Sequence, residues 1–101
     1  MTDPSETVVL ARQLEALIPT FLANRRKELE ALRSALAEAD FTELQRIGHC
    51  MKGVGASYGF ARISACGVQV EQGARALDRA AIAACIDAYA EYLGKLRIAY
   101  D

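Results

Sequence analysis

The sequence has few of the residues that cross-link small proteins or bind metals. It holds one histidine, no tryptophan and three cysteines in 101 residues. Cys50, Cys66 and Cys85 are odd in number and widely spaced, and no two form a C-x-x-C pair. This pattern indicates neither a disulfide framework nor a zinc site, and free thiols are typical of a reducing compartment. We therefore expect a cytoplasmic protein with no metal and no bound cofactor.

Long apolar runs and an excess of positive charge are also missing. No stretch approaches the ~20 apolar residues of a membrane-spanning helix, and the first residues lack the basic region of an export signal. The formal net charge is −1 at pH 7, whereas nucleic-acid binding depends on a concentrated basic face. We expect neither a membrane nor a nucleic acid as a partner.

Strong helix formers dominate what is present. Apolar residues make up 52% of the chain and charged residues 25%, and alanine, leucine, glutamate and arginine are frequent. The apolar residues recur at helical spacing, and the connections between the periodic segments are short. We expect an all-α fold with a single domain over residues 1–101, an up-down antiparallel four-helix bundle with a short extra N-terminal helix.

Pro19 interrupts the helical pattern in the first half of the chain. Pro19 either kinks one long helical segment or separates two helices. We favour a short helix up to about Ile18, with a possible cap at Ser5, and a long helix from Pro19 to about Ala39.

Aspartates mark the beginnings of two later helices. Asp40, with Glu43 three residues on, predicts the start of a helix that ends near Gly59. A third helix follows from Phe60, and Asp78 caps the last one. The predicted apolar stripes are Phe60, Ile63, Gly67, Val70, Ala74 and Leu77 in the third helix, and Ile82, Cys85, Ile86, Tyr89, Leu93, Leu96 and Tyr100 in the fourth.

The helix predicted within residues 40–60 carries the only histidine, His49. At about 100° per residue, His49 falls roughly 160° from the centre of the apolar stripe, close to the middle of the opposite face. We therefore expect its ring to face water. The stripe consists of Phe41, Leu44, Ile47, Gly48, Met51, Val54, Gly55 and Tyr58.

Small side chains and a cation surround this ring. Its neighbours one or two turns away are Gln45, Lys52, Gly53 and Ala56. A glycine inside a helix costs about 0.5–1 kcal/mol relative to alanine, so something other than helix stability selected the glycines of this stretch. Small residues on the outer face leave room for a partner or an anion, and small residues on the inner face permit close helix packing.

These residues carry a resemblance to a known family. The spacing H-x-x-K-G, a further small residue and a glycine before an aromatic residue is similar to the motif of histidine-containing phosphotransfer (HPt) domains. The motif reads here as His49, Lys52, Gly53, Ala56, Gly59 and Phe60. Gly48 stands where the family usually has alanine, and Cys50 stands where a serine or another small or polar residue is common. Both departures are conservative in size.

The resemblance implies the roles of the site residues. His49 would accept a phosphoryl group from a receiver-domain aspartate, and Lys52 would stabilise the phosphoryl oxygens. Gln45, Arg46, Gly53 and Ala56 would serve docking and access. The sequence has no glycine-rich phosphate loop and no acidic magnesium pocket, so we expect a monomeric phosphoryl carrier without its own ATP site. Its partners would be response-regulator receiver domains and hybrid or sensor histidine kinases.

The alternative function is a helical interaction module that binds receiver domains or kinases without phosphotransfer. A catalytic thiol–imidazole pair of Cys50 and His49 is disfavoured, because adjacent helical residues diverge by about 100°. Arg25, Arg26 and Lys27 form a run that is either a solvated face or a source of positive charge for an acidic partner.

Overall fold

The computed structural model describes residues 6–100, and four α-helices make up most of that range. The elements are strand β1 (Glu6–Leu10), a 3-10 helix (Arg12–Leu17), α1 (Ile18–Ala37), α2 (Phe41–Tyr58), α3 (Ala61–Arg75), α4 (Arg79–Lys95) and strand β2 (Leu96–Tyr100). The four long helices agree with the predicted all-α class. The predicted cap at Ser5 lies outside the described residues.

The helix that carries His49 has the ends that its sequence predicts. At its start, an Asp40 side-chain oxygen accepts a hydrogen bond from the Glu43 backbone N–H at 3.1 Å. At its end, Gly59 has a φ of 84°, the left-handed conformation that glycine adopts without a steric penalty. The Glu43 side chain bonds to Arg46. Asp40 and Gly59 thus confirm the predicted limits of α2.

The first and last segments differ from the prediction. Helix α4 ends at Lys95, and the expected helical positions Leu96 and Tyr100 belong to β2, which pairs in parallel with β1. The expected N-terminal α-helix is this β1 strand followed by the 3-10 helix. Pairing with a distant strand satisfies backbone N–H and C=O groups that local periodicity does not account for. Pro19 lies in the first turn of α1, as predicted, and does not kink a longer helix.

The predicted apolar stripe of α2 faces the core. Every member is buried or half-buried, and Leu44, Ile47 and Met51 are almost fully buried. In α3 the stripe is confirmed up to Ala74, but Leu77 is 65% exposed and lies beyond the helix at a φ of 55°. The helix has already ended there, so Leu77 no longer shares its inner face.

Helices α2 and α3 pack closely enough for their backbones to touch. A Cβ added to Gly67 would lie 2.5 Å from the Gly48 carbonyl oxygen and 2.6 Å from the Lys52 backbone nitrogen. Helix α1 also contacts α2 and α4, and α3 contacts α4, so the four helices enclose one apolar cluster. The prediction that inner glycines permit close packing is confirmed. Within residues 6–100, none of the helices combines the length and the hydropathy that spanning a membrane requires.

Candidate functional site

His49 lies on the outer face of α2, where its side chain is 66% exposed. Gly48 and Met51, which flank His49 in sequence but belong to the inner stripe, are buried. A helix with two distinct faces therefore positions the ring, and the prediction that it faces water is confirmed.

A carboxylate from α3 holds one nitrogen of this ring. His49 Nδ1 lies 3.2 Å from Glu71 Oε2, and the Glu71 side chain is only 8% exposed. The carboxylate reaches the ring because α3 lies against α2 at Gly48, where an added Cβ would come within 2.8 Å of the Glu71 backbone nitrogen. The site thus has a contribution from two neighbouring helices.

Two cations share the same carboxylate. Lys52 Nζ lies 3.5 Å from Glu71 Oε1, and Arg75 Nη2 lies 3.2 Å from Glu71 Oε2. Burial acts to raise the pKa of this carboxyl group, but the charges of Lys52 and Arg75 and the hydrogen bond from His49 outweigh it. The pKa of Glu71 therefore lies below its ordinary value. The group is a carboxylate at neutral pH.

The ionised state of Glu71 determines which ring nitrogen is nucleophilic. A carboxylate only accepts hydrogen bonds, so the bonded Nδ1 carries the proton. In the neutral ring the lone pair is then on Nε2. Neutral imidazole with Nε2 free to approach a reactant is a nucleophile, and it needs no further base.

The ring opens onto a groove of about 480 Å³ between α2 and α3. The groove is lined by Thr42, Gln45, Arg46, His49, Cys50, Glu71 and Arg75. Gly53 and Ala56 are exposed further along α2, and a Cβ added at Gly53 would meet no atom within 4 Å. The structure therefore brings Gln45 and Arg46 to the groove, and it leaves the approach past Gly53 open.

Arg46, which lines the groove, is paired with a residue of its own helix. Arg46 makes two hydrogen bonds of 2.7 Å to the Glu43 carboxylate, and that pairing raises the pKa of the arginine. Its charge is thus already matched by a neighbour.

The Arg25–Lys27 run is not one solvated basic face. Arg26 and Lys27 are exposed, but Arg25 is buried, with its Nε 3.1 Å from Glu28 Oε1. The Tyr89 hydroxyl donates a hydrogen bond to the same carboxylate at 3.0 Å. Burial raises the pKa of Glu28 despite the nearby Arg25 charge. Arg25 therefore belongs to an internal polar cluster, and its expected exposure is wrong.

Glu71 and Arg75 are the site residues that sequence reasoning missed. A signal for Glu71 was present, because its neighbour Val70 lies on the predicted inner stripe of α3 and Gly67 is one turn earlier. A carboxylate so close to a core stripe is uncommon without a partner. Arg75 follows Glu71 by four residues, the spacing of an ion pair on one helix. In the part of the chain that the structure describes, no three histidine, cysteine or acidic residues cluster as metal ligands.

The four helices and the solvent-facing histidine of the H-x-x-K-G motif agree with the resemblance to histidine-containing phosphotransfer domains. The model of the Hpt domain family matches residues 10–97, so the chain belongs to that family. Hpt domains are phosphocarrier modules of phosphorelay signalling that interact with receiver domains and histidine kinases. No curated protein and no solved structure matches the chain significantly.

Proposed function

We propose that His49 accepts a phosphoryl group from a receiver-domain aspartate and passes it to another aspartate in a multistep phosphorelay. The observation that supports this most strongly is the arrangement of the ring: it is 66% exposed, and its Nδ1 lies 3.2 Å from a buried carboxylate. This arrangement keeps the lone pair of Nε2 available to solvent and to a docked partner. The histidine also stands in the H-x-x-K-G motif of the family to which the chain belongs.

The transfer step follows from this geometry. The Nε2 lone pair attacks the phosphorus atom of the aspartyl phosphate, and the bond from phosphorus to the aspartate oxygen breaks. The electron pair of that bond stays with the aspartate carboxylate. The Nδ1 proton remains on the ring, where the positive charge that the ring gains faces Glu71. The acidic magnesium pocket that such an aspartate needs belongs to the receiver domain.

Lys52 is the second residue of the proposed mechanism. Its side chain is 43% exposed and lies one helical turn from His49. A rotation of this side chain away from Glu71 would bring its charge to the phosphoryl oxygens. Gln45 would donate a hydrogen bond to the phosphoryl group, Arg46 would contact the partner, and Gly53 and Ala56 would leave room for it.

The decisive experiment follows a radioactive phosphoryl group from a panel of labelled receiver domains. The wild-type chain should acquire an acid-labile label, and His49→Gln should acquire none. Cys50→Ala is the matched control on the same helical turn, and it should be labelled like the wild type. Labelling of His49→Gln would overturn the assignment. Binding to receivers without labelling of the wild type would favour the alternative of a non-catalytic interaction module.

A second measurement tests the role of Lys52. Lys52→Ala should slow labelling on the order of tenfold. The effect should be smaller than that of removing a fully buried charge, because solvent screens the charge of this partly exposed side chain. The melting temperature should change little. A large fall in melting temperature with an unchanged labelling rate would show that Lys52 is structural.

The finer features of the architecture are also inferences. We infer an up-down order of the four helices, because no connection between them exceeds three residues. We likewise infer one domain over residues 1–101 that acts as a monomer in the cytoplasm. Such a chain would present the His49 groove to its partners, one at a time.

A further inference from the structure

One oxygen of Glu71 is shared by two donors from different helices. His49 Nδ1 on α2 and Arg75 Nη2 on α3 each lie 3.2 Å from Glu71 Oε2, whereas Lys52 Nζ lies 3.5 Å from Oε1. The carboxylate is 8% exposed, while the arginine side chain is 60% exposed. A single buried anion therefore connects the ring to two cations.

Lys52 and Arg75 differ in whether they can keep their contact with Glu71 during transfer. In the proposed mechanism Lys52 turns from Glu71 to the phosphoryl oxygens, and a buried carboxylate that loses one of its charge partners is destabilised. Arg75 lies on the same helix as Glu71, four residues later, so its bond to the carboxylate does not depend on α2. It can therefore stay in place while Lys52 moves.

We propose that Arg75 is a positioning residue for the phosphotransfer reaction: it holds the Glu71 carboxylate in place, and through it the His49 ring, when Lys52 turns to the phosphoryl group. This inference rests on the proposed function of His49. Arg75 bonds to the oxygen that faces Nδ1, on the opposite side of the ring from Nε2. It therefore acts through Glu71 and does not contact the transferred group.

The first test measures which nitrogen of the His49 ring carries the proton, and it requires no phosphoryl transfer. In the neutral ring of the wild type, nitrogen-15 chemical shifts should report the proton on Nδ1, the nitrogen that contacts Glu71. Arg75→Ala should raise the fraction of the ring with its proton on Nε2, and Arg75→Lys should restore most of the wild-type distribution. Arg33→Ala removes another exposed arginine that pairs with an acidic residue, and it should change nothing.

The second test measures the rate of His49 labelling by phosphoramidate, a small donor that has no docking surface. Arg75→Ala should slow labelling by about three- to fivefold, the effect of losing a partly exposed ion pair. Arg75→Lys should recover most of the rate. In a Glu71→Gln background, Arg75→Ala should cause no further loss, because the residue through which it acts is already changed.

The outcomes separate this inference from the proposed function. An equal effect of Arg75→Ala in the Glu71→Gln background would overturn the positioning role and indicate direct contact with the donor. An unchanged ring tautomer and rate in Arg75→Ala would also overturn it. Failure of both phosphoramidate and receivers to label His49 would instead remove the proposed function, and with it this role. Thermal unfolding of each variant identifies any loss of rate that comes from loss of fold.

Discussion

Gly67→Ala should destabilise this protein, although glycine-to-alanine changes within helices usually stabilise. Gly67 lies in α3 against the backbone of α2. A Cβ there would lie 2.5 Å from the Gly48 oxygen, 2.6 Å from the Lys52 nitrogen and 2.8 Å from Met51 Cβ. Ordinary Cβ contacts begin near 3.4 Å, so α2 and α3 would have to separate by roughly 0.9 Å in a closely packed interior.

The expected magnitude follows from two opposing contributions. Forcing an extra methyl group into a packed core costs typically about 1–3 kcal/mol, and the upper part of that range applies here because backbone atoms cannot rotate away. Replacing a helical glycine by alanine stabilises the helix by about 0.5–1 kcal/mol. The variant should therefore lose about 1–2.5 kcal/mol of unfolding free energy, which lowers the melting temperature of a domain this size by about 4–20 °C.

Gly53→Ala in α2 is the matched control. A Cβ at this position meets no atom within 4 Å, so only the gain in helix stability of about 0.5–1 kcal/mol should appear. Both variants and the wild type can be compared by urea and thermal unfolding monitored by circular dichroism. If Gly67→Ala is as stable as Gly53→Ala, the close contact between α2 and α3 is not present in solution.

Two further predictions concern backbone conformation and pH. Ala39 and Leu77 are exposed residues with φ values of 54° and 55°, so Ala39→Gly and Leu77→Gly should each add about 0.5–1 kcal/mol of stability; a lower urea midpoint in either variant would contradict this. The pKa of Glu71 lies below its ordinary value of 4.5, so the stability that it contributes is present above pH 4.5 and is lost as the pH falls through the lowered pKa. The stability difference between the wild type and Glu71→Gln should therefore stay constant above pH 4.5 and shrink as the pH falls below that value, and a difference that also stays constant below pH 4.5 would refute the linkage.

The helix that carries His49 could be predicted from sequence because its determinants are local. The cap at Asp40 and the left-handed residue Gly59 each act within a few residues, and the apolar stripe between them sets the orientation of the helix. Once that orientation is known, the exposure of His49 follows from helix geometry alone.

The two strands could not be predicted in the same way. Their register pairs Glu6 with Leu96 and Leu10 with Tyr100, near opposite ends of the chain. Burial alternates along β2 from Leu96 to Tyr100, but five residues are too few to distinguish a strand from the last turn of a helix. The contact between Glu71 and His49 was missed for the same reason, since it depends on how α3 is placed against α2.

The glycines of α2 connect its packing to its proposed function. Each glycine inside the helix costs about 0.5–1 kcal/mol relative to alanine. Gly48 and Gly55 have a structural explanation, because an added Cβ would lie 2.8 Å and 2.4 Å from the backbone of α3. At position 48, alanine is therefore not a conservative exchange in this chain, since it would push Glu71 away from His49. Gly53 has no such explanation: it packs against nothing, it follows Lys52, and it faces the solvent on the approach to the ring. Its cost in stability is explained if a partner has to come close to this point, as phosphoryl transfer from a receiver domain would demand.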